Sequence, residues 1–263
     1  MNHNALPTNR KAQLKYLILH RWKSLLILGG ILFLFSIPLI VSFFVKDLKA
    51  ISIVTTSEEN DLTTLFINDL FYAIFIVPSM VILFVGLSGI YRIIRNYIWA
   101  EGVILKSDFF IGVKQNWLHF SINGLIFALL FYGVYLATVY INVPMLKYLP
   151  LAISLIFIYP VIFVHLNLTV IYKNSYLAQL KNATVLYIKR IYIYLPLFLL
   201  FIIIPVFLMV FPMPLIIKYI ILFLFIYLFI PLFVLTISVF SISVFDENIN
   251  KEKHIDLYKK GLF

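Results

Sequence analysis

The sequence predicts an all-α membrane protein, a bundle of six transmembrane helices with short amphipathic helices on the cytoplasmic side. Its 263 residues are 63% apolar and only 12% charged, with a mean hydropathy of +1.04. An ordinary soluble domain is about half apolar and about a quarter charged. Six apolar runs approach the ~20 residues that cross a bilayer as helix. They leave little chain for a folded domain outside the membrane, so residues 1–263 form one integral membrane domain.

The six predicted spans contain no Lys, Arg, Asp or Glu. They cover residues 24–45, 70–90, 120–141, 150–171, 191–211 and 219–239, the last continuing as helix to Phe245. Residues 1–23 carry five cations among regularly spaced apolar residues. This pattern is typical either of a short amphipathic helix on the inner membrane surface or of the solvated start of the first span.

The distribution of positive charge predicts the orientation. Of the 21 Lys and Arg residues, 17 lie in the N-terminal segment, in residues 91–119 and 172–190, and in the tail. Positive residues collect in cytoplasmic connections, so both termini are expected in the cytoplasm of a multi-pass protein of the bacterial cell membrane. The net charge of +10 would suggest nucleic acid in a soluble chain. In this membrane protein the positive residues belong to the cytoplasmic loops and termini, so the net charge needs no nucleic-acid partner to explain it, and none is expected.

No catalytic or metal site is predicted. The acidic stretch Ser57-Glu-Glu-Asn-Asp61 in the first outer loop lacks the ligand spacing and glycine turn of a calcium loop. The chain has no Cys, and it contains no phosphate-binding loop, zinc-protease motif or serine-hydrolase elbow. We therefore expect a non-enzymatic protein without a cofactor.

The cytoplasmic segment 91–119 is predicted to contain an amphipathic helix, with Ser107 capping a first turn at Asp108. At helical spacing Asp108, Gly112, Gln115, Asn116 and His119 share a polar face. Phe109, Phe110, Val113 and Trp117 lie on the opposite side. That apolar side either docks a partner, or lies on lipid or on the bundle itself. The candidate partner-binding residues of this segment and of the second basic segment, 172–190, are Arg92, Arg95, Asp108, Phe109, Phe110, Lys114, Trp117 and Lys181.

Three polar residues fall at membrane depth: His165 and Asn167 in the fourth span and Asn123 in the third. Ionisable residues inside a membrane are candidate functional sites. The alternative is a neutral imidazole that hydrogen-bonds a neighbouring helix. Proline in five of the six spans is compatible with the kinked helices of transporters, although it also occurs in spans without that role.

The order of short motifs resembles the YesL family of small bacterial membrane proteins, whose biochemical activity is not established. The similar stretches are Gly86-Leu-Ser-Gly89, Tyr91-Arg92, Arg95, Glu101-Gly102, Asp108-Phe-Phe110, Lys114-Gln-Asn116, Tyr159-Pro160, Leu180-Lys-Asn-Ala183, Val244-Phe-Asp246 and Lys260-Gly-Leu262. The chain departs from the family in a longer first outer loop and in Glu247-Asn248, where the family pattern has a basic-aromatic pair. The resemblance implies association with carbohydrate uptake beside sugar-importing ABC transporters.

Two functions follow as hypotheses. In the first, the protein is an accessory subunit whose cytoplasmic segments contact the permease or ATPase of a carbohydrate ABC transporter. In the second, it is a small-solute permease, either alone or as a homo-oligomer. A permease requires a polar cavity that reaches His165 and Asn167, whereas an accessory protein requires only a closed interior packed with Leu, Ile and Phe.

Overall fold

A computed structural model describes residues 7–56, 62–210 and 214–262, and every regular element in these ranges is helical. The predicted acidic stretch of the first outer loop lies outside the described residues. The long helices α1 (Arg10–Thr56), α2 (Leu62–Ile98) and α3 (Leu105–Tyr140) come first. They are followed by α4 (Pro144–Ile153), a π turn (Ser154–Ile158), α5 (Tyr159–Ile171), α6 (Tyr176–Lys189), α7 (Ile191–Val210), α8 (Leu215–Leu224), a π turn (Phe225–Phe229), α9 (Ile230–Phe245), a π turn (Asp246–Asn250) and α10 (Lys251–Lys253).

The helices confirm the prediction of an all-α membrane bundle. Within the described ranges, five helical units are long and apolar enough to cross a membrane, and α6 with α7 supplies a sixth that is bent by 97°. In each of the five units, less than two-fifths of the most apolar stretch is buried inside the protein. Large apolar side chains such as Ile74 and Phe75 therefore remain on the outside of the bundle, where lipid would cover them.

Helix α2 is central to the packing. It contacts α1, α3, α5 and α9, and its side chains Ile76, Leu83, Leu87, Ile90 and Ile94 are buried in the core. The α2–α3 pair forms the most extensive interface, so the first turns of α3 are held against the last turns of α2.

The first three helices are longer than the predicted spans. At ~1.5 Å per residue, residues 10–23 of α1 and 105–119 of α3 each add roughly 20 Å of helix before their spans begin. The amphipathic segments predicted there are continuous with the spans, whereas α6 is a separate helix. We call this end of the bundle, with α6 and residues 246–262, the base.

The predicted cap at Ser107 is wrong. Helix α3 begins at Leu105, and Ile104 is its N-cap residue, without a side-chain cap hydrogen bond. The Asp108 carboxylate instead accepts a hydrogen bond from the Ile104 backbone N–H at 2.8 Å. One carboxylate in the first turn thus satisfies a backbone donor that the helix leaves free.

Two prolines shape contacts between helices. Pro160 has no N–H to donate to the carbonyl of Ile156, four residues earlier, and the Tyr187 hydroxyl of α6 donates to that carbonyl. Pro231 likewise frees the carbonyl of Tyr227. A Cβ placed on Gly29 of α1 would lie 1.9 Å from that oxygen. Groups on neighbouring helices therefore meet the carbonyls of Ile156 and Tyr227, and Gly29 allows a close helix approach.

Candidate functional site

The polar side of the first turns of α3 faces α2. Arg92 donates a hydrogen bond to the Gln115 side chain at 2.6 Å, and its Nε lies 3.9 Å from the Asp108 carboxylate. A Cβ on Gly112 would lie 2.8 Å from the Arg92 Cβ, so the two helices approach closely. Phe109 is also buried, and its ring packs against Gly89. Arg92, Asp108 and Phe109, which are predicted partner-binding residues, make these contacts within the bundle and hold α3 against α2.

The opposite side of the same turns is open. Phe110 is 60% exposed and Trp117 is 53% exposed. Lys114 lies between them, and its side chain is also exposed. We call this surface the α3 face; it consists of Phe110, Ile111, Lys114, Trp117 and Leu118.

Arg95, another predicted partner-binding residue, supports the turn between α2 and α3. It donates hydrogen bonds to the Asn96 side chain at 2.7 Å and to the Val170 carbonyl of α5 at 3.0 Å. Its guanidinium also lies over the Trp99 ring, 4.7 Å from the centroid. These contacts leave little of Arg95 for a partner. Lys181, by contrast, is exposed on α6.

A buried ion pair joins the two ends of the described chain. Arg10 donates to the Asp246 carboxylate at 2.7 Å, and both side chains are less than a tenth exposed. Gln13 adds hydrogen bonds to the carbonyls of Ile98 and Gly261, at 2.6 and 2.9 Å. The start of α1, the end of α2 and the C-terminal tail are thereby fixed to one another. Sequence reasoning placed Asp246 only in a family motif and missed this pair.

Tyr172, which follows α5, ties the tail to the bundle. Its hydroxyl donates to the Asn250 side chain at 2.6 Å. Burial, with a further contribution from the Asp246 carboxylate, raises the pKa of Tyr172. The hydroxyl therefore stays protonated at neutral pH and keeps its role as a donor.

Two of the predicted intramembrane polar residues lie together. Asn123 of α3 bonds His165 Nδ1 of α5 at 2.8 Å, and the Tyr176 hydroxyl donates to the Asn123 side chain at 3.3 Å. The His165 ring is fully buried, 4.7 Å from the Tyr176 ring between centroids. This polar cluster holds α6 against α3 and α5. Asn167 does not join it, because its amide donates to the Phe163 carbonyl of its own helix at 2.9 Å.

An apolar cavity of about 160 Å³ lies inside the bundle. Side chains from α1, α2, α3, α5 and the helices after α6 line it, among them Leu83, Phe127, Phe163 and Phe233. All of its lining residues are apolar, and neither His165 nor Asn167 is among them. Such a cavity has no groups to hold a polar solute.

A second buried charged group, absent from the sequence predictions, lies at the end of the bundle opposite the base. The Lys46 ammonium lies 3.2 Å from the Asp69 carboxylate and 2.8 Å from the Tyr135 hydroxyl. Tyr135 and Tyr140 each donate to Asp69 at 2.9 Å. Lys46 and Asp69 lie just outside the predicted spans 24–45 and 70–90, so the predicted spans place both in the first outer loop. The available signal was their position at the ends of adjacent spans, beside a span rich in tyrosine.

The described residues contain no group of three or more His, Asp or Glu side chains placed to hold a metal ion. No family model, curated protein or solved structure matches this chain. The resemblance to the YesL family therefore stays a prediction, and a proposal about function has to rest on the exposed surfaces and buried contacts of the protein.

Proposed function

We propose that this protein is a non-enzymatic membrane accessory subunit that docks a partner protein on the α3 face. The proposed partner is the permease or ATPase of a carbohydrate ABC transporter. The transporter identity rests on the resemblance to the YesL family, and the cytoplasmic position of the base rests on the positive charge concentrated there. The docking surface itself rests on the side-chain contacts of α3.

The observation that carries the proposal is the direction in which α3 is turned. The polar residues Asp108 and Gln115 bind Arg92 of α2, so the apolar residues Phe110 and Trp117 point away from the protein. In a helix that only covered its own bundle, the apolar side would face inward. The bundle buries Phe109 from the apolar side but leaves Phe110 and Trp117 uncovered, so an apolar surface remains that the bundle does not use.

Lipid does not account for the whole of the α3 face. Phe110 precedes the predicted start of the third span by ten residues, which corresponds to about 15 Å along the helix. The headgroup region adds only roughly 5 to 8 Å on each side of the hydrocarbon core. Trp117 falls within that region, where tryptophan is common, but Phe110 lies beyond it when the helix is upright. Exposed apolar patches in water mark interaction sites.

The permease hypothesis receives less support. It requires a polar cavity that reaches His165 and Asn167, whereas the internal cavity is apolar and includes neither residue. His165 is enclosed by Asn123 and Tyr176, and Asn167 bonds to its own helix. These contacts favour structural roles for both side chains and an accessory role for the protein.

Photocrosslinking in native membranes tests the proposal. A photoreactive phenylalanine analogue replaces Phe110, and in a control it replaces Phe71, which is 55% exposed on the part of α2 that lies within the predicted second span. We expect adducts with a transporter subunit from position 110 and lipid adducts alone from position 71. Lipid alone, or only a second copy of the chain, at position 110 would overturn the proposed docking.

A further inference from the structure

A polar cleft of about 250 Å³ opens at the base between α6 and the tail. Its apolar floor includes Leu186 and Ile249, and its polar wall includes Asn182 and Lys189 from α6 and Lys253 from α10. No carboxylate is among the described residues that line it. The cleft thus combines an apolar floor with two cations and amide donors.

Hydrogen bonds on both sides hold the cleft open in a defined shape. Gln179 of α6 is buried, donates to the Tyr172 carbonyl at 2.6 Å and accepts from the Thr169 hydroxyl at 3.0 Å. Tyr172 in turn bonds Asn250 of the tail. Binding sites are usually largely formed before the ligand arrives, and this cleft meets that condition.

The two lysines of the cleft are uncompensated. Lys189 and Lys253 are exposed, and neither has an ion pair or side-chain hydrogen bond in the described part of the chain. Of the carboxylates near the cleft, Asp246 binds Arg10 and Glu247 binds Arg190 at 2.5 Å. Glu252 and Asp256, which are close to Lys253 in the sequence, are exposed and do not line the cleft. The cleft therefore concentrates positive charge that no acidic side chain of its wall neutralises.

The cleft lies at the depth of the membrane surface. Helix α6 is bent by 97° from α7, so it lies nearly parallel to the membrane plane when α7 crosses the bilayer. Leu168, three residues before the predicted end of the fourth span, also lines the cleft. One side of the cleft is thus next to the lipid headgroups.

We propose that this cleft binds the phosphodiester headgroup of an anionic phospholipid. Lys189 and Lys253 act as point charges for the phosphate, and the Asn182 amide is placed to donate to a headgroup oxygen. The apolar floor at Leu186 and Ile249 accommodates the adjoining glycerol and first methylene groups. Basic pockets between membrane helices commonly bind such headgroups. The bound lipid would fasten α6 and the tail to the membrane surface.

Native mass spectrometry of the full chain, titrated with phosphatidylglycerol in a neutral detergent, tests the site. The double variant Lys189→Gln/Lys253→Gln should bind the lipid roughly 30-fold more weakly, since each Lys near an anionic headgroup contributes a factor of about five. The control Lys11→Gln/Lys106→Gln removes the same charge from exposed positions elsewhere at the base and should change binding little. Val185→Trp, which fills the cleft and keeps both lysines, should also weaken binding.

Three results would overturn the proposal. Equal losses in both double variants would mean general attraction between charges rather than a site. Displacement of phosphatidylglycerol by millimolar inorganic phosphate, with phosphate itself retained, would mean a site for a soluble phosphate. Thermal unfolding of each variant is measured in parallel. If the double variant unfolds, Val185→Trp gives the decisive titration, and unchanged lipid binding by that variant would overturn the site.

Discussion

Replacing Asp69 by Asn should destabilise the bundle more than any change to an exposed ion pair. The Lys46 and Asp69 side chains are only 6% and 5% exposed and lie 3.2 Å apart. The variant keeps the shape of the side chain but removes its charge, so the buried ammonium of Lys46 loses its closest carboxylate. Removing one partner of a buried pair costs about 3 to 5 kcal/mol. Because Asp47 remains 3.5 Å from Lys46, we expect a loss near the lower end, about 3 kcal/mol.

The assay is reversible unfolding in mixed micelles with increasing dodecyl sulfate, followed by far-ultraviolet circular dichroism. Lys218→Met is the matched control, since Lys218 also pairs with a carboxylate at this end, that of Asp47 at 2.6 Å, but is 32% exposed. Because the Lys218 side chain still reaches water, its pair should contribute less than the Lys46 pair, about 1 kcal/mol. A loss in Asp69→Asn no larger than in Lys218→Met would refute the reasoning that burial makes the Lys46 pair important.

Three further predictions test contacts in the bundle. Gly29→Ala places a methyl group 1.9 Å from a backbone carbonyl of the facing helix, so the free energy of unfolding should fall by more than about 3 kcal/mol in the same assay. In the control Gly133→Ala, open space surrounds the new methyl group, and stability should be unchanged or rise by up to about 1 kcal/mol. Tyr187→Phe removes the donor to the carbonyl freed by proline and should cost about 1 to 3 kcal/mol; an unchanged transition would mean that the carbonyl does not need this donor. Asp246→Asn removes the carboxylate that pairs with the buried Arg10. The C-terminal tail should then be held less firmly, and amide hydrogen exchange in residues 254–262 should become faster. Unchanged exchange rates in the tail would contradict the role of this pair.

The apolar spans were readable from the sequence because the bilayer sets their length. A run such as residues 70–90 has no charge and only one stable way to satisfy its backbone in lipid. The lengths of the helices were less readable. Residues 10–23 and 105–119 contain no proline that would break a helix. Hydropathy alone, however, does not show whether such an amphipathic segment is continuous with a span or forms a separate helix.

The orientation of α3 required knowledge of its neighbour. Periodicity groups Asp108 with Gly112 and opposes them to Phe110, as the structure shows, but it does not say which side faces inward. The polar side is inward because Arg92 of α2 offers a charged partner there. The buried ion pairs were missed for the same reason: Arg10 and Asp246 are 236 residues apart in sequence, and a single sequence does not reveal such contacts.

The most direct test of the proposed docking is the accessibility of a single cysteine at position 110. The chain has no Cys, so Phe110→Cys supplies the sole target for a membrane-impermeant maleimide, and Lys106→Cys is the control on the same helix. In inside-out native vesicles we expect Lys106→Cys to react and Phe110→Cys to be protected, and in lipid nanodiscs that contain only this protein we expect both to react. Protection of Phe110→Cys in the nanodiscs would mean that lipid or the protein itself covers it, and free reaction in the native vesicles would mean that no partner docks there; either result would contradict the account.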